Sequence, residues 1–339
     1  MTRKRALLVA IGFVGLGLFA QSVYMLGVER LVDGLRRVGW GFGAIVILSG
    51  AREAARTLAW VRTVEGPRLP FARAFRARLA GEALNTLLPM GMLVGEPVKA
   101  SHVAPDLPFA SAFGALVVEF AFYCISLVLL LSAGTTALIA VADPSLRPSL
   151  IALLVVSAVV LGALLPYVRR AGRRTLERTA TFSAAGGRIR ASIRTAVDSV
   201  QRQVAIVGRF AAEHPERVRA IVAFEIAYQV LAVAEVYFTL FLISPVQPTL
   251  AMSLVLETVN RVITMLFKML PMRLGVDEAS SSLFAGRLDL GATTGLTLAL
   301  VRKLRMLFWG GIGLLFLLPR RSDLTAPAWS WSVVDQRVP

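Results

Sequence analysis

The chain has 339 residues, of which 56% are hydrophobic and only 17% are charged, and its formal net charge is +16. This balance excludes an ordinary soluble domain of this length. Several apolar runs reach the roughly 20 residues that one helical span of a bilayer requires, and they lack the alternation of barrel strands. The predicted fold class is therefore an all-α polytopic membrane protein.

The basic excess is interpreted as a membrane feature, and we expect no nucleic-acid partner. Lys and Arg total 37 against 21 Asp and Glu, and basic residues gather in the cytoplasmic loops of membrane proteins, where they face anionic headgroups. The only cysteine, Cys124, lies in an apolar run. A disulfide within the chain is therefore excluded.

The first predicted span is the apolar run Ala6–Val28, which follows three basic residues. A cleaved signal peptide is the alternative, but the apolar run continues past Ala20, so we favour an uncleaved span. A second span begins at Trp40. The stretch Arg52–Arg78 then carries seven Arg and two Glu, which predicts that this side is cytoplasmic.

The next stretch, Phe71–Val98, is too polar for an ordinary span and is predicted to be a re-entrant or broken segment. Phe109–Leu131 is a clean third span. A short neutral loop around Asp143 follows, and Leu150–Val168 returns the chain to the cytoplasmic side.

Residues 169–219 are predicted to be a cytoplasmic linker, since they contain twelve Arg and no Lys. Within the linker, apolar residues from Ile189 to Val207 recur at helical spacing, with Arg on the other faces. Two interpretations stay open. The amphipathic helix lies on the inner leaflet, where its Arg contact anionic headgroups, or it packs on the protein's own cytoplasmic face.

The second half begins with the span Ala220–Ile243 and an outer turn at Ser244–Pro248. A polar-spotted apolar segment, Thr249–Leu270, follows, and the final helix is Thr294–Leu318. We thus expect one integral membrane domain over residues 1–320, with halves 1–168 and 220–320 as pseudo-repeats and about eight membrane segments. Residues 321–339 form a loose tail, and both termini are cytoplasmic.

A proline-interrupted polar segment occurs once in each half. Seven positions separate Pro89 from Glu96, and seven separate Pro271 from Glu278, with glycines between. Proline removes a backbone donor and glycine relaxes the chain, so each segment should break a helix at membrane depth. Broken backbone persists there only where it is sheltered, and a matched pair in two halves indicates a transport site.

At these residues the chain resembles the lysylphosphatidylglycerol synthase transmembrane-region family, also called flippase-like membrane proteins, from about Leu7 to Leu318. The first-half pattern is matched by Gly81, Asn85, Pro89, Gly95, Glu96 and Lys99. The second-half pattern is matched by Pro271, Gly275 and Glu278, and by the basic residues Arg302, Lys303 and Arg305 at the opening of the last span.

The chain also departs from the family pattern. Glu119 is kept in the third span, but Phe120 and Tyr123 stand where many relatives carry an Arg and an Asp, which puts an ion pair there in doubt. The chain ends without a soluble aminoacyl-transferase domain. The resemblance therefore implies lipid handling without lysyl transfer, in the bacterial cytoplasmic (inner) membrane, and the hopanoid-biosynthesis-associated subgroup is the nearest.

Several ionisable residues lie inside apolar windows, where a charge costs about 2.5–3.5 kcal/mol at a helix centre. They are Glu119, Glu225, Glu235, Glu257 and Arg261. Each one alone is better explained as a lock between helices; together with the two breaks they indicate a polar cavity. Arg52 and Arg56 also share a helix face, and snorkelling to the inner interface is the alternative prediction for them.

No motif for ATP hydrolysis, zinc peptidase chemistry or a nucleophile elbow occurs, and the chain has only two histidines, so we expect no cofactor, no metal and no catalytic residue. The predicted function is a lipid translocase whose partner is a phospholipid, an isoprenoid lipid or a hopanoid. The alternatives are a headgroup-modifying enzyme and a scaffold of a lipid-synthesis complex. The predicted headgroup site comprises Glu82, Asn85, Pro89, Gly95, Glu96, Lys99, Glu119, Arg261, Pro271, Arg273, Gly275, Glu278 and Arg302.

Overall fold

The computed structural model describes residues 36–88, 91–104, 106–141, 203–268, 270–273 and 275–317, with isolated positions between 29 and 155. The predicted span Ala6–Val28, most of Leu150–Val168, linker residues 169–202, Pro89 and the tail 321–339 lie outside the described residues. Within the described ranges the chain is helical and forms no strand. The predicted all-α class is confirmed there.

The helices of the described residues are numbered in chain order. They are α1 (Gly41–Thr63), α2 (Phe71–Leu87), α3 (Met92–His102), α4 (Phe109–Val141), α5 (203–213), α6 (Pro215–Ile243), α7 (Leu250–Leu266), α8 (Val276–Arg287) and α9 (Ala292–Leu317). Local chemistry sets several boundaries: Pro215 opens α6, and the Thr249 hydroxyl caps α7 by accepting the Met252 N–H at 3.2 Å.

The first predicted break joins α2 to α3, and we call this unit the first hairpin. Helix α2 ends at Leu87, Leu88 is extended, and α3 begins at Met92 after Gly91. The non-helical part is shorter than the predicted segment that ended at Glu96. Glu96 lies inside α3, because the chain resumes helical hydrogen bonding directly after Gly91.

The second predicted break joins α7 to α8, and we call this unit the second hairpin. A 3₁₀ turn over Pro271–Arg273 follows α7, and Met272 and Arg273 both have φ of 48°. Gly275, with φ of 82°, precedes α8 and suits this left-handed region because it has no side chain. Glu278 lies in the first turn of α8 rather than in the break itself.

The two hairpins point toward each other from opposite ends of the bundle. Leu298, near the start of α9, packs with the base of the second hairpin, whereas Leu314, about 24 Å further along α9, packs with α2 of the first. At the tips, Met272 of the second break packs with Leu84 and Leu87 of α2. The second break thus lies against the end of α2, where the first break begins, and the depth of both breaks in the membrane stays a prediction.

Large apolar side chains lie on the outside of the described bundle, whereas many charged ones lie inside. Ile47, Val230, Leu266 and Leu315 are 60–73% exposed, the reverse of a soluble protein. Among the described helices, those over Phe109–Ile139 and Pro215–Ile243 are long and apolar enough to cross a membrane by length and composition alone. The predicted total of about eight membrane segments stays a prediction.

The described end of the predicted amphipathic linker helix is α5. Its Val207 and Phe210 are buried in a cluster with Ile221 of α6 and Phe122 of α4, while Arg209 faces outward. This part of the linker therefore packs on the protein itself, which is the second of the two open interpretations.

Candidate functional site

A network of ion pairs runs through the middle of the bundle, and we call it the buried charge network. Its cations are Arg52, Arg56, Arg78, Lys99, Arg261, Arg273, Arg302, Lys303 and Arg305. Its anions are Glu53, Glu82, Glu96, Glu119, Glu225, Glu235, Glu257, Asp277 and Glu278. The two sets are equal in number, so the chain's positive excess lies outside this network.

In the first hairpin, a buried lysine holds two carboxylates together. Lys99 is 2% exposed, and its Nζ lies 2.6 Å from Glu82 and 2.7 Å from Glu96. Asn85 donates its side-chain N–H to the same Glu96 carboxylate at 3.2 Å. Four predicted site residues from α2 and α3 are thus brought together.

Two glycines permit this close crossing of α2 and α3. A Cβ added to Gly81 would lie 2.7 Å from the carbonyl oxygen of Gly95, closer than side chains tolerate. A Cβ on Gly91 would lie 2.6 Å from the Cα of Asn85. These glycines let the backbones approach, which places Lys99 within reach of Glu82.

In the second hairpin, another buried lysine caps the break. Lys303 of α9 has no exposed side chain; its Nζ donates to the carbonyl of Met272 and lies 3.2 Å from Asp277 and 3.6 Å from Glu278. Arg273 pairs with Asp277 at 3.0 Å. The ammonium group thereby satisfies a backbone carbonyl that the break leaves outside a helix.

Each break therefore has one buried lysine and two acids beside it; Lys99 belongs to the first hairpin itself, whereas Lys303 comes from α9. The predicted site contains Lys99 and Arg302. Lys303 matches the family pattern but is not part of the predicted site. Arg302 and Lys303 lie in the middle of α9, about ten positions after its start at Ala292, rather than at the opening of the last span as predicted.

Glu119 is ion-paired, although its own helix lacks the expected arginine. Its carboxylate accepts from Arg56 of α1 at 2.9 Å and from Arg78 of α2 at 3.2 Å. Arg78 is fully buried and also reaches Glu53 at 3.1 Å. The doubt about this pair is resolved, because the arginines come from neighbouring helices.

The prediction that Arg52 and Arg56 snorkel to the interface is wrong. Arg52 is 6% exposed and pairs with Glu235 of α6 at 2.7 Å. The guanidinium carbon of Arg56 lies 4.0 Å from the ring centre of Tyr123, a cation–π distance. Both arginines turn inward because the buried acids of other helices lie within reach.

Arg261 and Arg302 pair with the same glutamate, Glu257. They lie 2.8 Å and 3.2 Å from the two oxygens of Glu257. Glu225 and Gln229 share a buried face of α6, as predicted. Gln229 donates to Ser126 at 3.0 Å, whereas neither oxygen of Glu225 accepts a hydrogen bond from a described residue.

A cavity of about 90 Å³ lies beside the network, and of the predicted residues only Glu82 lines it. Its lining consists of Ser49, Glu53, Leu79, Glu82, Ala83, Thr86, Arg305, Met306, Trp309 and Gly310. The other charged members of the predicted site are engaged in ion pairs; they are Glu96, Lys99, Glu119, Arg261, Arg273, Glu278 and Arg302.

A separate group of possible metal ligands lies at the surface, where sequence reasoning named none. The ligand atoms of Glu65, Glu213 and His214 lie within 4.8 Å of one another. Arg209 lies 3.4 Å from Glu65. This exposed group is apart from the buried charge network.

A family model described as the lysylphosphatidylglycerol synthase TM region matches residues 6–334 of the chain. No curated protein and no solved structure matches the chain. The match covers nearly the whole chain, including both hairpins and all of the buried charge network.

Proposed function

Because the chain belongs to the lysylphosphatidylglycerol synthase transmembrane-region family, we propose that this membrane protein moves a lipid, or the polar headgroup of that lipid, between the two leaflets. The family indicates a lipid-related function in a membrane. Translocation meets one physical obstacle. The acyl tails stay in hydrocarbon throughout, but a phosphate or sugar cannot cross it without polar partners.

The observation that carries the proposal is the pair of opposed hairpins with a buried lysine at each break. Lys99 and Lys303 are 2% and 0% exposed, and each is held by two carboxylates. A headgroup would exchange with these carboxylates and lysines, because phosphate can replace a carboxylate on an ammonium group and an amine can replace an ammonium on a carboxylate.

The proposed topology makes both hairpins re-entrant, in two inverted pseudo-repeats of the inner membrane. The first hairpin enters from the cytoplasm, since the exposed arginines Arg62, Arg68 and Arg73 lie at its base. The second enters from the other side, and the tips meet where Met272 packs on α2. This is the arrangement in which broken helices form sites between transporter repeats.

In this mechanism the described conformation is the closed state. Glu82, Asn85, Glu96 and Lys99 form one gate, and the acids around Lys303 form the other. Opening the first gate toward one leaflet admits the headgroup, and opening the second releases it toward the opposite leaflet. The ion pairs reform behind the lipid, which keeps the path closed to ions and water.

The test is reconstitution of the purified protein into vesicles that contain a headgroup-labelled phospholipid. Translocation predicts that inner-leaflet label becomes accessible to a membrane-impermeant quencher faster than in protein-free vesicles, with the lipid chemically intact. A new lipid species in the extract would identify a headgroup-modifying enzyme. If neither faster quenching nor a new lipid species is observed, the proposal is contradicted and the scaffold is the remaining alternative.

A further inference from the structure

Four arginines from three helices converge on two glutamates and one tyrosine, and we call this set the arginine cluster. Glu235 pairs with Arg52 at 2.7 Å and with Arg305 at 2.9 Å. Glu257 pairs with Arg261 and Arg302. Tyr228 joins the two groups, because Arg52 and Arg261 each donate to its hydroxyl oxygen at 3.3 Å.

The cluster contains more positive than negative charge. Four guanidinium groups share direct contacts with only two carboxylates, while the arginine side chains are only 7–18% exposed. Arg52 and Arg261 also lie 4.9 Å and 5.3 Å from the same Tyr228 ring centre. Two like charges held this close in a buried site repel each other unless an anion is added.

The cluster also has buried donors without acceptors. Arg52 Nε, Arg261 Nη2 and Arg305 Nε are buried N–H groups that find no hydrogen-bond acceptor in the described part of the chain. Arg305 Nε is close to Glu235 but lies outside hydrogen-bonding geometry. A buried donor without an acceptor costs free energy, and a charged donor costs more. These N–H groups are the complement of a multidentate anion.

We propose that the arginine cluster is a phosphate-binding site that receives the phosphate group of a phospholipid headgroup. Guanidinium groups bind phosphate oxygens through parallel N–H···O contacts, which a lone ammonium cannot supply. The site is distinct from the two hairpin lysines, whose charges are already matched by carboxylates. It rests on the proposed function and identifies the part of the lipid that this region holds.

The cavity beside α9 provides the entrance. Arg305 lines it, and at 18% exposure its side chain is the most accessible of the four. Two acids line the same cavity, but Glu53 is held by Arg78 at 3.1 Å and Glu82 by Lys99 at 2.6 Å. Both acids are thus held by cations outside the cluster, and Arg305, which also pairs with Glu235 at 2.9 Å, is the cluster cation that lines the cavity and would meet an incoming phosphate first.

The experiment measures the thermal stability of the full chain in a non-ionic detergent during titration with three probes. They are short-chain phosphatidylglycerol, inorganic phosphate and an uncharged short-chain diacylglycerol. The proposal expects saturable stabilisation by phosphatidylglycerol and none by diacylglycerol. Stabilisation by inorganic phosphate as well would assign recognition to the phosphate alone, whereas its failure would assign it to the phosphodiester of a lipid.

The matched variants are Arg305→Gln and the exposed control Arg209→Gln. Arg305→Gln should raise the half-saturating concentration of phosphatidylglycerol by at least about tenfold, as expected for loss of one charge-assisted contact. Arg209→Gln should leave that concentration unchanged. Arg305→Lys, which keeps the charge without the planar fork, should be intermediate. Each titration is referred to the ligand-free midpoint of the same variant, so a loss of stability alone does not imitate a loss of binding.

The proposal would be overturned if phosphatidylglycerol and inorganic phosphate both failed to stabilise the protein. Equal affinity for phosphatidylglycerol in Arg305→Gln and the natural sequence would also overturn it. Binding is read here without any transport. A protein that binds phosphatidylglycerol through Arg305 but moves no lipid would contradict the translocase and keep the site. If the natural protein moves lipid and Arg305→Gln binds and transports lipid normally, the translocase is kept and the phosphate site is contradicted.

Discussion

The ammonium group of Lys303, in the middle of α9, donates a hydrogen bond to the backbone carbonyl of Met272, in the break between α7 and α8. Met272 has φ of 48°, a left-handed conformation that is unfavourable for a residue with a long side chain. The buried lysine thus stabilises a strained backbone and joins two elements that are 31 positions apart in the chain.

The first prediction is that Lys303→Met destabilises the protein by about 3–5 kcal/mol, because it removes the buried cation that pairs with Asp277 and Glu278 and donates to the Met272 carbonyl, although Arg273 still pairs with Asp277. Lys303→Arg should not restore stability, since the side chain is fully enclosed. The measurement is the thermal unfolding midpoint in detergent. Arg209→Met, in an exposed ion pair, is the control and should behave like the natural sequence; equal midpoints for both methionine variants would contradict the prediction.

The second prediction contrasts two buried glutamates. Glu119 accepts hydrogen bonds from two arginines, whereas Glu225 accepts none from the described residues and lies 3.9 Å from Arg56. Glu119→Gln should therefore lower the free energy of unfolding by about 3–5 kcal/mol, while Glu225→Gln should leave it unchanged or raise it. Both are measured by unfolding in detergent, and a larger loss for Glu225→Gln would show that the contacts had been misjudged.

The third prediction concerns the crossing of α2 and α3. Gly81→Ala would introduce a methyl group 2.7 Å from the carbonyl of Gly95, and overpacking of this kind costs about 1–3 kcal/mol. Gly114→Ala on α4 is the matched control, because a Cβ there meets no described atom within 4 Å. The control should be neutral or more stable by up to about 1 kcal/mol. The comparison fails if both variants lose stability equally.

The fourth prediction is the topology. In a variant whose only native cysteine, Cys124, is replaced by Ala, single cysteines are placed at two exposed positions, Arg68 and Val246. A thiol reagent that cannot cross the membrane should label intact cells at position 246 and not at position 68, since the exposed Arg62, Arg68 and Arg73 predict that this end of the bundle is cytoplasmic. The reverse pattern would contradict the orientation of both hairpins.

The sequence predicted the two breaks because proline, glycine and an acid recur at the same spacing. Pro271 and Gly275 do interrupt the chain between α7 and α8, and the two breaks meet. The extent of the first break was overestimated at Glu96, since proline and glycine mark where a helix stops and carry little information about where the next helix resumes.

Partners across helices could not be predicted. Arg78 was counted as a marker of the cytoplasmic side, but it is fully buried and pairs with Glu119, 41 positions away. Helical periodicity shows which residues share a face, but not which neighbouring helix that face meets. For the same reason the sequence named Arg302 for the hairpin site, where the structure places Lys303.

The fifth prediction is that Glu96→Gln and Glu278→Gln each abolish lipid movement while the protein remains folded and inserted. Glu96 holds Lys99 at 2.7 Å, and Glu278 lies 3.6 Å from Lys303. Gln keeps the shape and removes the charge that the headgroup exchanges with in the proposed mechanism. Glu216→Gln, at an exposed position of α6, is the control and should transport normally.

The most direct test of the translocase is the rate of lipid redistribution per inserted molecule, compared between the natural sequence and Glu96→Gln in vesicles of the same composition. The account predicts rapid redistribution of intact lipid by the natural sequence and a rate equal to protein-free vesicles for Glu96→Gln, with both proteins inserted to the same extent. Redistribution at an unchanged rate by Glu96→Gln, accompanied by a lower unfolding midpoint, would contradict it and leave Glu96 as a lock between α2 and α3.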